Sequence, residues 1–153
     1  MKNGNRTSKI NGPVNILVVD DCPANRKLLR AVLEAEGFNT VEAADGVEAL
    51  AALDREPIDA VVSDILMPRM DGYRLCYEVR ANKRFCHLPF IIYTNTFISP
   101  SDEKTGLDLG ADKFLRKPSA VKEILAALRA LKEQPGGAAA AHRRNNRLKT
   151  LDK

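Results

Sequence analysis

Five residues carry side chains suited to phosphoryl chemistry: Asp20, Asp21, Asp64, Thr94 and Lys117. Three carboxylates brought together repel one another, so such a cluster calls for protonation or a cation. Magnesium is the natural cation, since it takes a few hard oxygen ligands and keeps waters that phosphate oxygens can replace. Lys117 would add a fixed positive charge able to hold a phosphoryl oxygen. Asp64 could do more than bind metal, because a carboxylate can attack phosphorus and form an acyl phosphate. Phosphoryl transfer is catalysed mainly by alignment and charge stabilisation, so a metal, an ammonium and a hydroxyl suffice as equipment. Singly, each residue has a plainer reading. An Asp after a strand is usually a turn former or cap, a Lys is usually solvated, and a Thr is often strand material.

The elements that must position these residues decide between the two readings. Five short apolar runs rich in β-branched residues alternate with longer segments of helical period, which is the pattern of a parallel sheet with covering helices. The strands read as Ile16 to Val19, Thr40 to Ala43, Ala60 to Ser63, Phe90 to Tyr93 and Phe114 to Arg116. In an open parallel sheet, functional groups gather where loops converge at the carboxyl ends of the strands. The first strand delivers Asp20 and Asp21, the third Asp64, the fourth Thr94, and the fifth Lys117 followed by Pro118. All five stand at carboxyl ends, and chance explains that placement poorly.

The intervening helices are read from period and capping. Leu28, Leu29, Val32 and Leu33 recur at helical spacing, with Pro23 in the first turn and Gly37 as the stop. Val47, Leu50, Ala51 and Leu53 follow Asp45 and Gly46, and Tyr73, Leu75, Cys76, Tyr77 and Val79 follow Asp71 and Gly72. In that third helix Tyr73, Cys76, Tyr77 and Arg80 share a face. A fourth helix, Ser101 to Leu109, is opened by Ser101, with Asp102 and Glu103 suiting its positive end. Its apolar content is thin, so it is expected to be the least firmly anchored. The fifth, Ser119 to Glu133, takes Ser119 as cap and buries Val121, Ile124, Leu125, Leu128 and Leu131.

Composition narrows the class of function. A chain of 153 residues with 44% apolar content supports one compact core. Its net charge of +4 is not spread evenly: residues 1–13 carry +3 and residues 142–153 carry +4, leaving the body at −3. The tail residues Arg143, Arg144, Arg147 and Lys149 could meet phosphates, but no aromatic platform or helix-turn-helix accompanies them, so nucleic acid is disfavoured as a partner. Cys22, Cys76 and Cys86 are odd in number and form no C-x-x-C, which suits reduced thiols in a cytoplasm, each a small apolar filler. No apolar stretch resembles a secretory signal or reaches the ~18 residues of a membrane span, so a soluble, unexported protein is expected. Phosphate-binding glycine loops and a nucleophile elbow are missing, and His87 and His142 have no ligand partners at useful spacing. A separate enzyme on a similar fold therefore lacks its parts.

Three segments then identify a family: Val18-Val19-Asp20-Asp21, Ser63-Asp64-Ile65-Leu66-Met67-Pro68-Arg69-Met70-Asp71-Gly72, and Gly110-Ala111-Asp112-Lys113-Phe114-Leu115-Arg116-Lys117-Pro118. They closely resemble the receiver domain of two-component response regulators, over about residues 14–133. The resemblance implies an α/β, flavodoxin-like (βα)5 fold with a five-stranded parallel sheet in the order 2-1-3-4-5 and helices on both faces. Residues 1–13 would be a flexible N-terminal segment and 134–153 a linker with a basic tail. By the same resemblance Asp64 is the phosphoacceptor, served by a sensor histidine kinase or phosphotransfer protein. Asp21, Asp64 and the backbone carbonyl of Leu66 would hold magnesium directly, with Asp20 acting mainly through water. Lys117 would pair with the phosphoryl group, across a Lys117–Pro118 junction that is often cis in the family. Thr94 and Phe114 occupy the switch positions. Phosphorylation would draw the Thr94 hydroxyl inward, let Phe114 turn into the vacated space, and reshape the face of the fourth helix, fifth strand and fifth helix. Phe114 could equally be a static core aromatic. That face is also the candidate homodimer surface, and the downstream effector is unnamed. No turnover of a separate substrate is expected.

Two positions depart from the family pattern. Asn95 follows Thr94 where the family usually has a very small residue, so it would narrow access to Asp64 or add a hydrogen bond. Leu66, two places after Asp64, supplies no polar side chain to orient an attacking water, which implies slow self-dephosphorylation. The Pro23-Ala24-Asn25-Arg26 start of the first helix resembles receivers of hybrid kinases, so the chain reads as free-standing or as part of a larger regulator.

Overall fold

The structure, a computed structural model, describes residues 13–95 and 99–133. The expected flexible start (1–13, but for Pro13) and the expected linker and tail (134–153) lie outside the described residues. Strands β1 (Asn15–Val19), β2 (Asn39–Ala43), β3 (Ala60–Ser63), β4 (Phe90–Thr94) and β5 (Lys113–Arg116) alternate with helices α1 (Pro23–Ala35), α2 (Gly46–Arg55), α3 (Gly72–Ala81), α4 (Pro100–Asp108) and α5 (Val121–Glu133). The strands form one parallel sheet, as the alternation implied, in the order β2-β1-β3-β4-β5 that the resemblance implied.

Successive side chains of a strand point to opposite faces, and the two core layers follow that rule. Ile16, Val18, Val62, Ile91 and Tyr93 meet Leu29 and Leu33 of α1 and Ile124, Leu125 and Leu128 of α5. Leu17, Val19, Val61, Phe90 and Ile92 meet Ala49 and Leu53 of α2 and Leu75, Cys76 and Val79 of α3. Both faces of the central strands are therefore dry, which is why these strands read as nearly unbroken apolar runs. Cys76 sits in the second layer, where burial pushes its thiol up to about 11, so it behaves as filler.

Several details correct the helix readings. Leu28 and Val47 match the apolar period, yet they are 65% and 44% exposed. The sheet takes the stripe through Leu29 and Leu33, and Leu28 lies about 100° away around the helix. In α3 Cys76 is buried whereas Tyr77, the next residue round, is exposed. Helix α4 begins at Pro100 and not at Ser101, because Ser99 and Asp102 close a reciprocal capping box around it. Helix α5 begins at Val121. Ser119 does not serve as its cap but lies in the turn from β5, which is closed by the Ala120 N–H donating to the Arg116 carbonyl (3.0 Å). No helix among the described residues is long and apolar enough to cross a membrane.

Candidate functional site

Strands β1 and β3 pair with Val19 opposite Ser63, so the next residues, Asp20 and Asp64, leave the sheet side by side. Backbone bonds hold their positions: the Asp64 N–H donates to the Val19 carbonyl (2.9 Å) and the Asp20 N–H to the Ala43 carbonyl (3.1 Å). Both residues are buried, Asp20 at 4% and Asp64 at 8% exposure. One oxygen of each carboxylate is satisfied locally. Asp20 Oδ1 accepts from the Cys22 N–H (2.9 Å) and Asp64 Oδ1 from the Ile65 N–H (2.7 Å). The other oxygens converge on Lys117, whose Nζ lies 3.1 Å from Asp64 Oδ2 and is ion-paired more closely with Asp20 Oδ2.

Lys117 reaches this place because its own N–H donates to the Thr94 carbonyl (2.9 Å), which joins the end of β4 to the chain beyond β5. The Lys117–Pro118 peptide bond is cis, as the resemblance implied. The ammonium also lies over the Tyr93 ring, 5.7 Å from its centroid. Burial acts to lower the Lys117 pKa, but the Asp20 hydrogen bond and the charges of Asp64 and Asp20 outweigh it and hold the group above its ordinary value.

Buried charges are tolerable only when paired, and here one formal cation faces two formal anions. Asp21, exposed at the rim, adds a third carboxylate outside the Lys117 ion pairs. The donor set, hard oxygens with an excess of negative charge, fits magnesium by type. Among the described residues no three Asp, Glu, His or Cys side chains already converge on one point. The convergence present is that of Asp20 and Asp64 on Lys117. Leu66 is 60% exposed in the loop after Asp64, and Asn95 is exposed after β4. Thr94 is fully buried. Phe114 is half-buried farther out, its ring against Gly106 of α4 and within the layer of Ile92.

Some supporting residues escaped the sequence reading of the site. A Cβ on Gly72 would stand 2.1 Å from the Asp64 carbonyl oxygen, so only glycine lets α3 start this close to the candidate acceptor. The Gly72 N–H also donates to the Ile65 carbonyl (2.8 Å). Arg69 adopts φ 66°, an uncommon conformation for a residue with a side chain. Its Nε and Nη2 reach Asp45 Oδ2 at 2.8 and 2.7 Å, tying the loop after Asp64 to the cap of α2. Burial raises the Asp45 pKa, but the Glu48 N–H and the Arg69 guanidinium outweigh it and hold the carboxyl below its ordinary range. Asp45 was visible before its helix; Arg69, 24 residues away, gave no local signal of its partner.

Residues 16–129 match the model of the response regulator receiver domain. The chain belongs to that family, the receiver domains of two-component response regulators. It is 45% identical over 119 residues to the response regulator MprA of Mycobacterium sp. (strain KMS), a match covering 78% of this chain and 50% of the relative. With MprA of Mycobacterium leprae (strain TN) the identity is 43% over 118 residues, 77% and 50% of the two chains. The chain thus spans about half the length of these curated relatives. Among solved structures, it is similar to the signal receiver domain of a signal transduction histidine kinase from Syntrophus aciditrophicus (TM-score 0.71, 33% identity, 78% of this chain and 89% of that one). The Vibrio cholerae chemotaxis protein CheY4 is similar to the same degree (TM-score 0.71, 30% identity, 78% and 99% covered).

Proposed function

We propose that this receiver domain takes a phosphoryl group on Asp64 from a sensor histidine kinase or phosphotransfer protein. The observation that carries this reading is the buried meeting of Asp20 and Asp64 on the Lys117 ammonium at the carboxyl edge of the sheet. In the step, an Asp64 oxygen attacks phosphorus, the bond from phosphorus to the donor imidazole nitrogen breaks, and that nitrogen takes up a proton. Lys117 exchanges its hold on Asp64 for a phosphoryl oxygen, which costs little motion because its backbone stays bonded to Thr94. Asp20, Asp21, Asp64 and the Leu66 carbonyl are the groups that would hold magnesium, which when bound offsets charge on the phosphoryl oxygens.

The new group brings nearly two negative charges and strong acceptor oxygens. The Thr94 hydroxyl is the donor at the end of β4 able to answer them, and space released by its movement is open to Phe114. The face of α4, β5 and α5 then changes shape for a downstream effector or a second copy of the chain. No turnover of a separate substrate belongs to this function. Three free cysteines suit a cytoplasmic setting.

The test is intact mass after incubation with magnesium and acetyl phosphate. One added phosphoryl group is expected in the wild type and none in Asp64→Asn; equal labelling of both would remove Asp64 from its role. Phosphate loss should be slow and should quicken in Leu66→Asn, measured as decay of the labelled species.

A further inference from the structure

Of the oxygens assigned to magnesium, the Leu66 carbonyl has the least local support. A backbone carbonyl can be aimed only by orienting its peptide, and the Leu66 side chain, 60% exposed, anchors that peptide poorly. The loop is fixed at two points: the Gly72 N–H donates to the Ile65 carbonyl (2.8 Å) and the Gly46 N–H to the Met70 carbonyl (3.0 Å). Between them run Leu66, Met67, Pro68 and Arg69, of which only Arg69 has a side chain able to form an ion pair. Its guanidinium places two donors on Oδ2 of Asp45, whose Oδ1 accepts the Glu48 N–H (2.9 Å). Asp45 is 3% exposed, so a buried carboxylate has Arg69 as its cation.

The backbone at Arg69 is an independent pointer. Among the described residues it is the one non-glycine with a positive φ, 66°. Glycine takes that conformation without steric cost, so arginine stands there against its backbone preference, and what it contributes has to come from the side chain. That side chain leads to the turn between β2 and α2, whose Ala43 carbonyl also accepts the Asp20 N–H (3.1 Å). The turn holds none of the oxygens assigned to magnesium, yet it is bonded to both loops that carry them.

We propose that Arg69 is a positioning residue for the magnesium site, its ion pair with Asp45 holding the Leu66 peptide in place for the cation. The proposal rests on the reading of Asp20, Asp21, Asp64 and the Leu66 carbonyl as magnesium ligands and adds what steadies the last of them. Magnesium tolerates little departure from octahedral geometry, so a carbonyl left free to swing binds it less well. The sign of the effect separates positioning from charge. Arg69 is a cation on the loop that follows Asp64, so by charge alone its removal would tighten magnesium binding. Loss of a positioning group weakens it.

The test is a magnesium titration of the full chain at constant ionic strength, without a phosphodonor, followed by the amide NMR signals of Asp20, Asp21, Asp64 and Leu66. Outer partners of metal ligands typically carry about ten- to hundredfold in affinity, and with one ligand of several affected Arg69→Gln is expected to raise Kd about three- to tenfold. Arg69→Lys, which keeps the charge but not the two donors, should fall between it and the wild type. Asp45→Asn should weaken binding about as much, although asparagine caps a helix as well as aspartate does and α2 is therefore kept. The double variant Arg69→Gln/Asp45→Asn should be no weaker than either single one, because both remove the same contact. In the metal-free protein, faster motion is expected at the Leu66 and Met67 amides of Arg69→Gln, read from heteronuclear relaxation.

Unchanged or tighter magnesium binding in Arg69→Gln would overturn the proposal, as would single-variant losses that add in the double variant, or loop amides that relax as in the wild type. A wild type whose amides show no saturable response to magnesium would sink the magnesium site itself, and this role with it.

Discussion

Helices α4 and α5 flank the same strand, β5, but are held in different ways. Helix α5 lays Ile124, Leu125 and Leu128 into a closed apolar layer. Helix α4 buries only Gly106. The Tyr73 hydroxyl donates to its Asp102 carbonyl (3.0 Å), while the Ser99–Asp102 capping box and the Lys104–Asp108 pair act within the helix itself. Fully burying a Leu or Ile side chain stabilises by about 1.5–3 kcal/mol, whereas a cap is worth about 1 kcal/mol and an exposed ion pair about 0–1 kcal/mol. Within one surface, α5 is therefore a fixed wall and α4 a part that yields at low cost. Under the proposed switch through Thr94 and Phe114, α4 would move first, because Phe114 rests directly on it.

Substitutions can break that contrast, beginning with the heaviest. Leu128→Ala should lower global stability by about 2–5 kcal/mol in denaturant unfolding, since it empties a site with 1% exposure. A loss below about 1 kcal/mol would mean α5 is not the clamp. Gly106→Ala sets two effects against each other. Alanine favours the helix by about 1 kcal/mol, while overpacking costs about 1–3 kcal/mol. Its Cβ would stand 2.8 Å from Phe114 Cδ2, so the ring must shift. A net loss of about 1 kcal/mol is expected with altered Phe114 NMR shifts; unchanged shifts would deny the contact.

Ser99→Ala should cost about 1 kcal/mol and show as faster amide exchange confined to α4. Equal acceleration in α5 would show that the two helices open as one unit. Acid extends the comparison to α2. Because the folded Asp45 carboxyl titrates below the ordinary carboxyl value of about 3.9, its contribution is present above that value and is lost as pH falls through the depressed one. The Glu48 amide, which donates to Asp45, should lose exchange protection over that interval and keep it at pH 5. The smallest effect belongs to Lys104→Ala, for which unfolding should be unchanged within error, the pair with Asp108 being solvated.

What could be read along the chain, and what could not, follows the reach of each interaction. The strands were visible because they are buried on both faces and flanked by turn residues. The candidate site was visible because a parallel sheet sends every strand's carboxyl end to one edge, so Asp20, Asp64, Thr94 and Lys117 needed no long-range knowledge to be grouped. Helix phase was less legible: Leu28 fits the period as well as Leu29 does, and only the position of the sheet separates them. Ser99 and Ser101 are both fair caps, and the reciprocal bond to Asp102 selects the first.

Periodicity, capping chemistry and the order of polar residues after strands thus determined the elements, their parallel arrangement and the grouping of the acids with Lys117. Tertiary structure alone decided that Lys117 bridges Asp20 and Asp64, that Gly72 touches the Asp64 backbone, and that Arg69 grips Asp45. The physical reason is range: backbone preference and amphipathic period act within a few residues, whereas ion pairing and close approach depend on where distant segments come to rest.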